Sequence, residues 1–213
     1  MGFGGNGPDE VSNDPRYGNQ WGLECIDAEE AWDVVPDNLG IILAIIDTGV
    51  DVSHANLMAH YDTAIDRDFV SNDYDADDDM GHGTHVAGIA VVVTDNNEGI
   101  AGLAPVKIMG IKVMNWLGFG LESDIVTGID YAADNGAHVI NMSLGSTSCS
   151  QADSSVIEAI LDLLKYRTVT IDALAGISVL SGDRDFDIDQ GRDDVLIPLQ
   201  ADQISCSSSL AVS

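Results

Sequence analysis

Ile41-Ile-Leu-Ala-Ile-Ile46, closed by Asp47-Thr-Gly-Val-Asp51, is the stretch on which the fold turns. The run is short, apolar and rich in β-branched residues, and a turn-forming Asp-Thr-Gly ends it. That combination predicts a strand rather than a helix. A strand without polar alternation is covered on both faces, as strands of parallel sheets are.

Outward from this strand the chain alternates. Residues 82–94 read as a helix of small and apolar residues, 106–113 as a strand, and 122–135 as a helix stopped by Gly136. Residues 137–142 read as a strand, 153–165 as a helix and 168–174 as a further strand. Strands and helices in alternation predict an α/β fold of three layers, a mostly parallel sheet with helices on both faces. In such sheets sites lie at the carboxyl ends of strands, where Asp47 falls. Residues 1–12 read as a flexible lead, 13–182 as one domain, and 183–213 as an acidic and then Ser-rich tail, poorly ordered or weakly packed.

The chain has 213 residues, with 8 Lys plus Arg against 36 Asp plus Glu, a formal net charge of −28. Binding to nucleic acid through phosphates is excluded in practice, because it needs clustered cations. An anionic membrane surface is disfavoured for the same reason. With 45% apolar residues a packed core is expected. No apolar run approaches the ~20 residues of a membrane span. Residues 1–7 show neither the basic start nor the apolar region of a signal peptide. Cys25, Cys149 and Cys206 are too widely spaced for a C-x-x-C metal site, and their odd number leaves at least one thiol free or paired between chains.

Two motifs carry chemistry. Asp47 stands just past the buried strand, where a turn residue would also be at home. Gly81-His82-Gly-Thr-His85-Val-Ala-Gly88 sets a histidine at a helix start between glycines that permit close approach of another segment. A zinc pair made by His82 and His85 is a weak reading, since the zincin motif H-E-x-x-H spaces its histidines i, i+4 with a Glu between. Asp and then His, followed by Val139-Ile-Asn-Met-Ser143-Leu144-Gly145, resembles the subtilisin-like serine proteases, or subtilases, in which the triad runs Asp, His, Ser along the chain. The resemblance holds from about residue 13 to 145, is weaker to about 176 and poor beyond.

The resemblance implies peptide-bond hydrolysis. Asp47 would orient His82, and His82 would act as general base and then as general acid. A polypeptide in extended conformation would lie between Gly118-Phe119-Gly120 and Ser143-Leu144-Gly145, adding as a strand. The resemblance also implies an extracellular location, and a monomer is expected if the chain folds. Two departures stand out. No G-T-S-M-A block for the nucleophile occurs in these residues, so the domain reads as C-terminally incomplete and its activity as impaired or absent. The oxyanion Asn, expected after Ala-Ala-Gly, aligns with Ile177 in Ala173-Leu-Ala-Gly-Ile177, and Asp172 interrupts the strand before it. Loss of one oxyanion donor costs ~10²–10³ in turnover.

Calcium is the expected cofactor, one or two ions. One site implied by the resemblance takes Asp14, Asn56, Asn96 and the carbonyls of Val93, Glu98 and Ile100. Asn56 stands where the family usually has Asp, which lowers the ligand charge and should weaken binding. The other takes Asp68, Asp73, Asp75 and Asp77, alternate carboxylates that equally fit a solvated acidic loop. The acid excess also fits adaptation to high salt. A non-catalytic relative that binds peptide or calcium is the alternative function.

Overall fold

The computed structural model describes residues 12–34, 40–144, 170–173, 178–179 and 204–205. A five-stranded parallel sheet is its centre, in the order β2-β3-β1-β4-β5. The strands are β1 (Ile42–Asp47), β2 (Arg67–Asp68), β3 (Lys107–Lys112), β4 (Val139–Met142) and β5 (Thr170–Ala173). β1 lies between β3 and β4 in parallel register, with Asp47 opposite Lys112 and Ile45 opposite Asn141. The run 41–46 therefore occupies the middle of the sheet, which is why it carries no polar alternation.

The alternation of side chains along β1 sends successive residues to opposite faces. Ala44 and Ile46 join Met109, Ile111, Ile140 and Met142 in one buried cluster, closed by Ile129 and Ala132 of α4 (Glu122–Asp134). Ile45 and Ile108 join the other cluster, closed by Ala87 and Val91 of α3 (His82–Val91), with Val50 and Leu57. Each fully buried Ile contributes about 1.5–3 kcal/mol. Gly128 lets α4 settle on the sheet, since a Cβ there would stand 3.0 Å from Val113 Cγ1.

The chain is thus α/β with helices on both faces of a parallel sheet. Helix α3 ends at Val91, short of the predicted residue 94, because Thr94 has other partners. Its hydroxyl donates to the Gly102 carbonyl and accepts from the Gly102 amide, and Val93 donates to the Asn56 carbonyl. Two short helices between residues 13 and 40 lie outside the predicted set, α1 (Trp21–Cys25) and α2 (Ala28–Val34). They pack Leu23 and Ala28 on Ala101, and Gln20 exchanges two hydrogen bonds with the Ala101 backbone. Such five- and seven-residue helices have no stable existence alone and are held by this packing. The predicted helix 153–165 lies outside the described residues. β6 (Ser178–Val179) and β7 (Ile204–Ser205) pair antiparallel in a separate two-stranded sheet.

Candidate active site

The carboxyl end of β1 delivers Asp47 and the first residue of α3 is His82. The imidazole Nδ1 lies 2.7 Å from Asp47 Oδ1. Asp47 is fully buried, while the His82 side chain is 45% exposed. A carboxylate only accepts, so Nδ1 carries the proton and Nε2 is the nitrogen left to exchange one. The Thr48 amide also donates to Asp47 Oδ1 at 2.7 Å, which fixes the carboxyl plane. Asp47 Oδ2 has no hydrogen-bond partner among the described residues.

The close approach is made by glycines. A Cβ on Gly83 would stand 2.1 Å from the Gly49 carbonyl oxygen and 3.0 Å from Asp47 Cβ. Gly49, at φ +111°, turns the chain away under Ala76, whose carbonyl would lie 2.5 Å from a Cβ at that position. Gly81 caps the helix at φ +102°, in the left-handed region.

Asp78 holds the start of α3. Its Oδ1 accepts from the Thr48 hydroxyl (2.9 Å) and from the Met80 and Gly81 amides (3.0 and 2.8 Å). Its Oδ2 accepts from the amide and the hydroxyl of Thr84 (2.9 and 2.5 Å). Burial works against the Asp78 carboxylate. The donors of Gly81, Thr84 and Met80 outweigh that burial and hold its carboxyl below the usual range. Asp78 thereby ties the turn after Asp47 to the turn before His82. Beneath the same turn, Lys112 at the end of β3 is buried, and its ammonium donates to the Thr48 carbonyl and to Asp79 Oδ1. Sequence reasoning singled out neither Asp78 nor Lys112. The signal available for Asp78 was an Asp three residues before a Gly-His helix start, where a carboxylate meets free amides.

The two segments expected to line a peptide stand as follows. Residues 115–119 form a tight turn in which Asn115 Oδ1 accepts from the Leu117 and Phe119 amides, and Gly118 sits at φ +75°. Gly120 bridges Met114 in antiparallel fashion. Phe119 is 72% exposed, and Trp116, Leu117 and Leu121 are exposed beside it. Met80, two residues before His82, lies against Gly118. On the other side Ser143 and Leu144 follow β4, half-buried, with the Ser143 hydroxyl donating to Asn141 Oδ1 at 3.0 Å. Gly145 and Ile177 lie outside the described residues.

The first set of expected calcium ligands gathers in space. Asp14, buried, accepts from the amides of Asp95 (2.9 Å) and Asn96 (3.1 Å) and from the Ser12 hydroxyl. Asn96 Nδ2 donates to Asn56 Oδ1 at 2.7 Å, and Val93 donates to the Asn56 carbonyl. One carboxylate and two side-chain amides thus meet beside the turn 93–97, and the Asn96 Oδ1 accepts in addition from the Glu98 amide. In the second set Asp68 and Asp73 exchange two main-chain hydrogen bonds. Asp68 is buried and accepts from the Val70 and Ser71 amides, and Asp73 accepts from the Asp75 amide. Asp73, Asp75 and Asp77 are exposed. Among the described residues no three His, Cys, Asp or Glu gather into a group able to hold a metal, and this holds for these four and for the His82–His85 pair. Nearby, burial pushes the Asp66 carboxyl up to about 6, against a hydrogen bond from the Gly110 amide.

Comparison with known proteins places the chain in a family. The model of the subtilase family matches residues 38–198. Halolysin of Haloferax mediterranei is 42% identical over 139 residues, covering 63% of this chain and 27% of halolysin. The halolysin-like extracellular serine protease Nep of Natrialba magadii is 36% identical over 142 residues, 64% of this chain and 26% of that protein. The crystal structure of a cold adapted subtilisin-like serine proteinase superposes with a TM-score of 0.50 at 33% identity, over 66% of this chain and 48% of that one. The chain therefore spans between a quarter and a half of the length of these proteins. With a match over most of its residues, and an Asp–His pair at the head of a parallel sheet, the chain belongs to the subtilase family.

Proposed function

We propose that the chain supplies the Asp and His of a serine endopeptidase relay, Asp47 as orienting carboxylate and His82 as general base and acid. The observation that carries the reading is the 2.7 Å contact between His82 Nδ1 and a fully buried Asp47. In the proposed reaction Nε2 takes the proton of an attacking serine hydroxyl and returns it to the leaving amine, while Asp47 stabilises the imidazolium in between. The 213 residues hold no serine in the nucleophile block, so on their own they bind and orient without forming an acyl-enzyme. An extended polypeptide would enter between residues 118–120 and 143–145, and the exposed Leu117, Phe119 and Leu121 suit apolar side chains.

A calcium ion at Asp14, Asn56, Asn96 and the carbonyls of Val93, Glu98 and Ile100 would tie the amino-terminal segment to the loop after α3. An extracellular setting is supported by the description of the Natrialba magadii relative, and among the described residues no helix is long and apolar enough to cross a membrane.

A serine-reactive fluorophosphonate tests the reading. The isolated chain should remain unlabelled, while the same residues extended by a family segment carrying the serine should label, and should lose that labelling in His82→Ala. Labelling of the isolated chain overturns the assignment of the missing nucleophile. Labelling of the extended chain that is indifferent to His82 overturns the relay.

A further inference from the structure

The segments that lead to Asp47 and His82 and away from them carry more negative than positive charge. Asp47 touches His82 from β1, and Asp51 and His54 follow in the next turn. Asp77, Asp78 and Asp79 come from the loop before it, His85 stands one turn along its own helix, and residues 114–120 bring no charge. A carboxylate close to an imidazole favours the charged ring, and an imidazolium cannot take a proton. Against these carboxylates stands Lys112 at the end of β3, its side chain 4% exposed. Its ammonium is spent on the Thr48 carbonyl, one residue past Asp47, and on Asp79, three residues before His82. A buried ammonium costs several kcal/mol to desolvate, and a carbonyl and a half-exposed carboxylate repay little of it as fold stability alone.

We infer that Lys112 is a positioning residue of the relay, which fixes the Thr48 turn and holds a positive charge on the carbonyl next to Asp47 so that His82 is neutral when it must act as base. The inference rests on the relay reading above and deepens it. It predicts opposite signs for removing the two members of one ion pair. Lys112→Met should raise the pH at which His82 titrates, by on the order of half a unit or more at low ionic strength. Asp79→Asn should lower it by a smaller amount, and the double variant should return towards the parent. A Lys112 that merely props up the loop predicts otherwise. Its loss would free His82 from Asp47 and lower the titration towards that of an ordinary imidazole.

The experiment is an NMR titration of the imidazole Cε1–Hε1 signals in the full 213-residue chain, with His82 identified by His82→Gln and with Asp47→Asn as reference. A lowered His82 titration in Asp47→Asn establishes the pair. If it does not move, the relay reading falls and this inference with it. If it moves, while Lys112→Met leaves His82 unchanged or lowers it, the inference alone is overturned. Should Lys112→Met fail to fold, Lys112→Arg and Asp79→Asn decide. The former should keep the parent titration and the latter lower it, and any other pair of results overturns the inference.

Discussion

The acidic run 73–79 has two halves made of the same residue. Asp73, Asp75 and Asp77 are exposed, and Asp73 Oδ1 accepts from the amide two residues on. Asp78 gathers five donors from Thr48, Met80, Gly81 and Thr84, and Asp79 pairs with a buried lysine. Nothing in side-chain chemistry separates the halves. Asp78 comes within reach of the unpaired amides that begin α3, and a carboxylate so placed meets donors that the helix itself cannot satisfy, while Asp79 reaches Lys112. The front half faces solvent. A run of like charges in a sequence is therefore uniform only on paper.

The contrast breaks most sharply at Asp78. Asp78→Ala should destabilise the chain by roughly 3–5 kcal/mol, because it strands several partly buried donors at once. Urea unfolding measures this, and a loss below one kilocalorie would make the halves equivalent. Calcium sharpens the contrast next. A site at Asp14, Asn56 and Asn96 should add about 2.7 kcal/mol at a hundredfold excess of the ion over Kd. Asp14→Ala should abolish that response and Asn56→Asp should strengthen it, in thermal melts with and without chelator. Loss of the response in Asp75→Asn instead would move the site to the exposed half.

Asp66 offers a third kind of carboxyl, buried with a single amide donor to its Oδ1. Its native pKa of about 6 lies above the unfolded value. The native state therefore binds the proton more tightly, and stability falls as pH rises from about 4 to about 6. Asp66→Asn, which cannot ionise, should gain on the parent by about 1–2 kcal/mol across that window. A gain that is flat or falls with pH contradicts the assignment. The smallest effect belongs to the exposed half. Asp75→Asn should change stability by less than about 0.5 kcal/mol.

Much of the architecture was legible because parallel strands announce themselves. The run 41–46 has no polar interruption and occupies the centre of the sheet, and the predicted strands 106–113 and 137–142 flank it. Element ends were less legible, since α3 stops where Thr94 prefers the Gly102 backbone, a contact eight residues away. Helices α1 and α2 escaped because tertiary packing on Ala101 makes them, not local pattern. At the site, Asp47 and His82 stand out by their motifs, but Lys112 does not. Its sequence context is that of any strand-end lysine, and only the parallel register of β1 and β3 sets it opposite Asp47.

The packing of Gly83 on Gly49 has one more consequence. Main chain meets main chain there, with no side chain between them to swap rotamers or absorb a push. The spacing of carboxylate and imidazole is thereby insulated from the repacking that accompanies substitution in either hydrophobic cluster. The layers above and below can diverge freely while the gap between those two groups stays constant, like a gauge block machined into the frame.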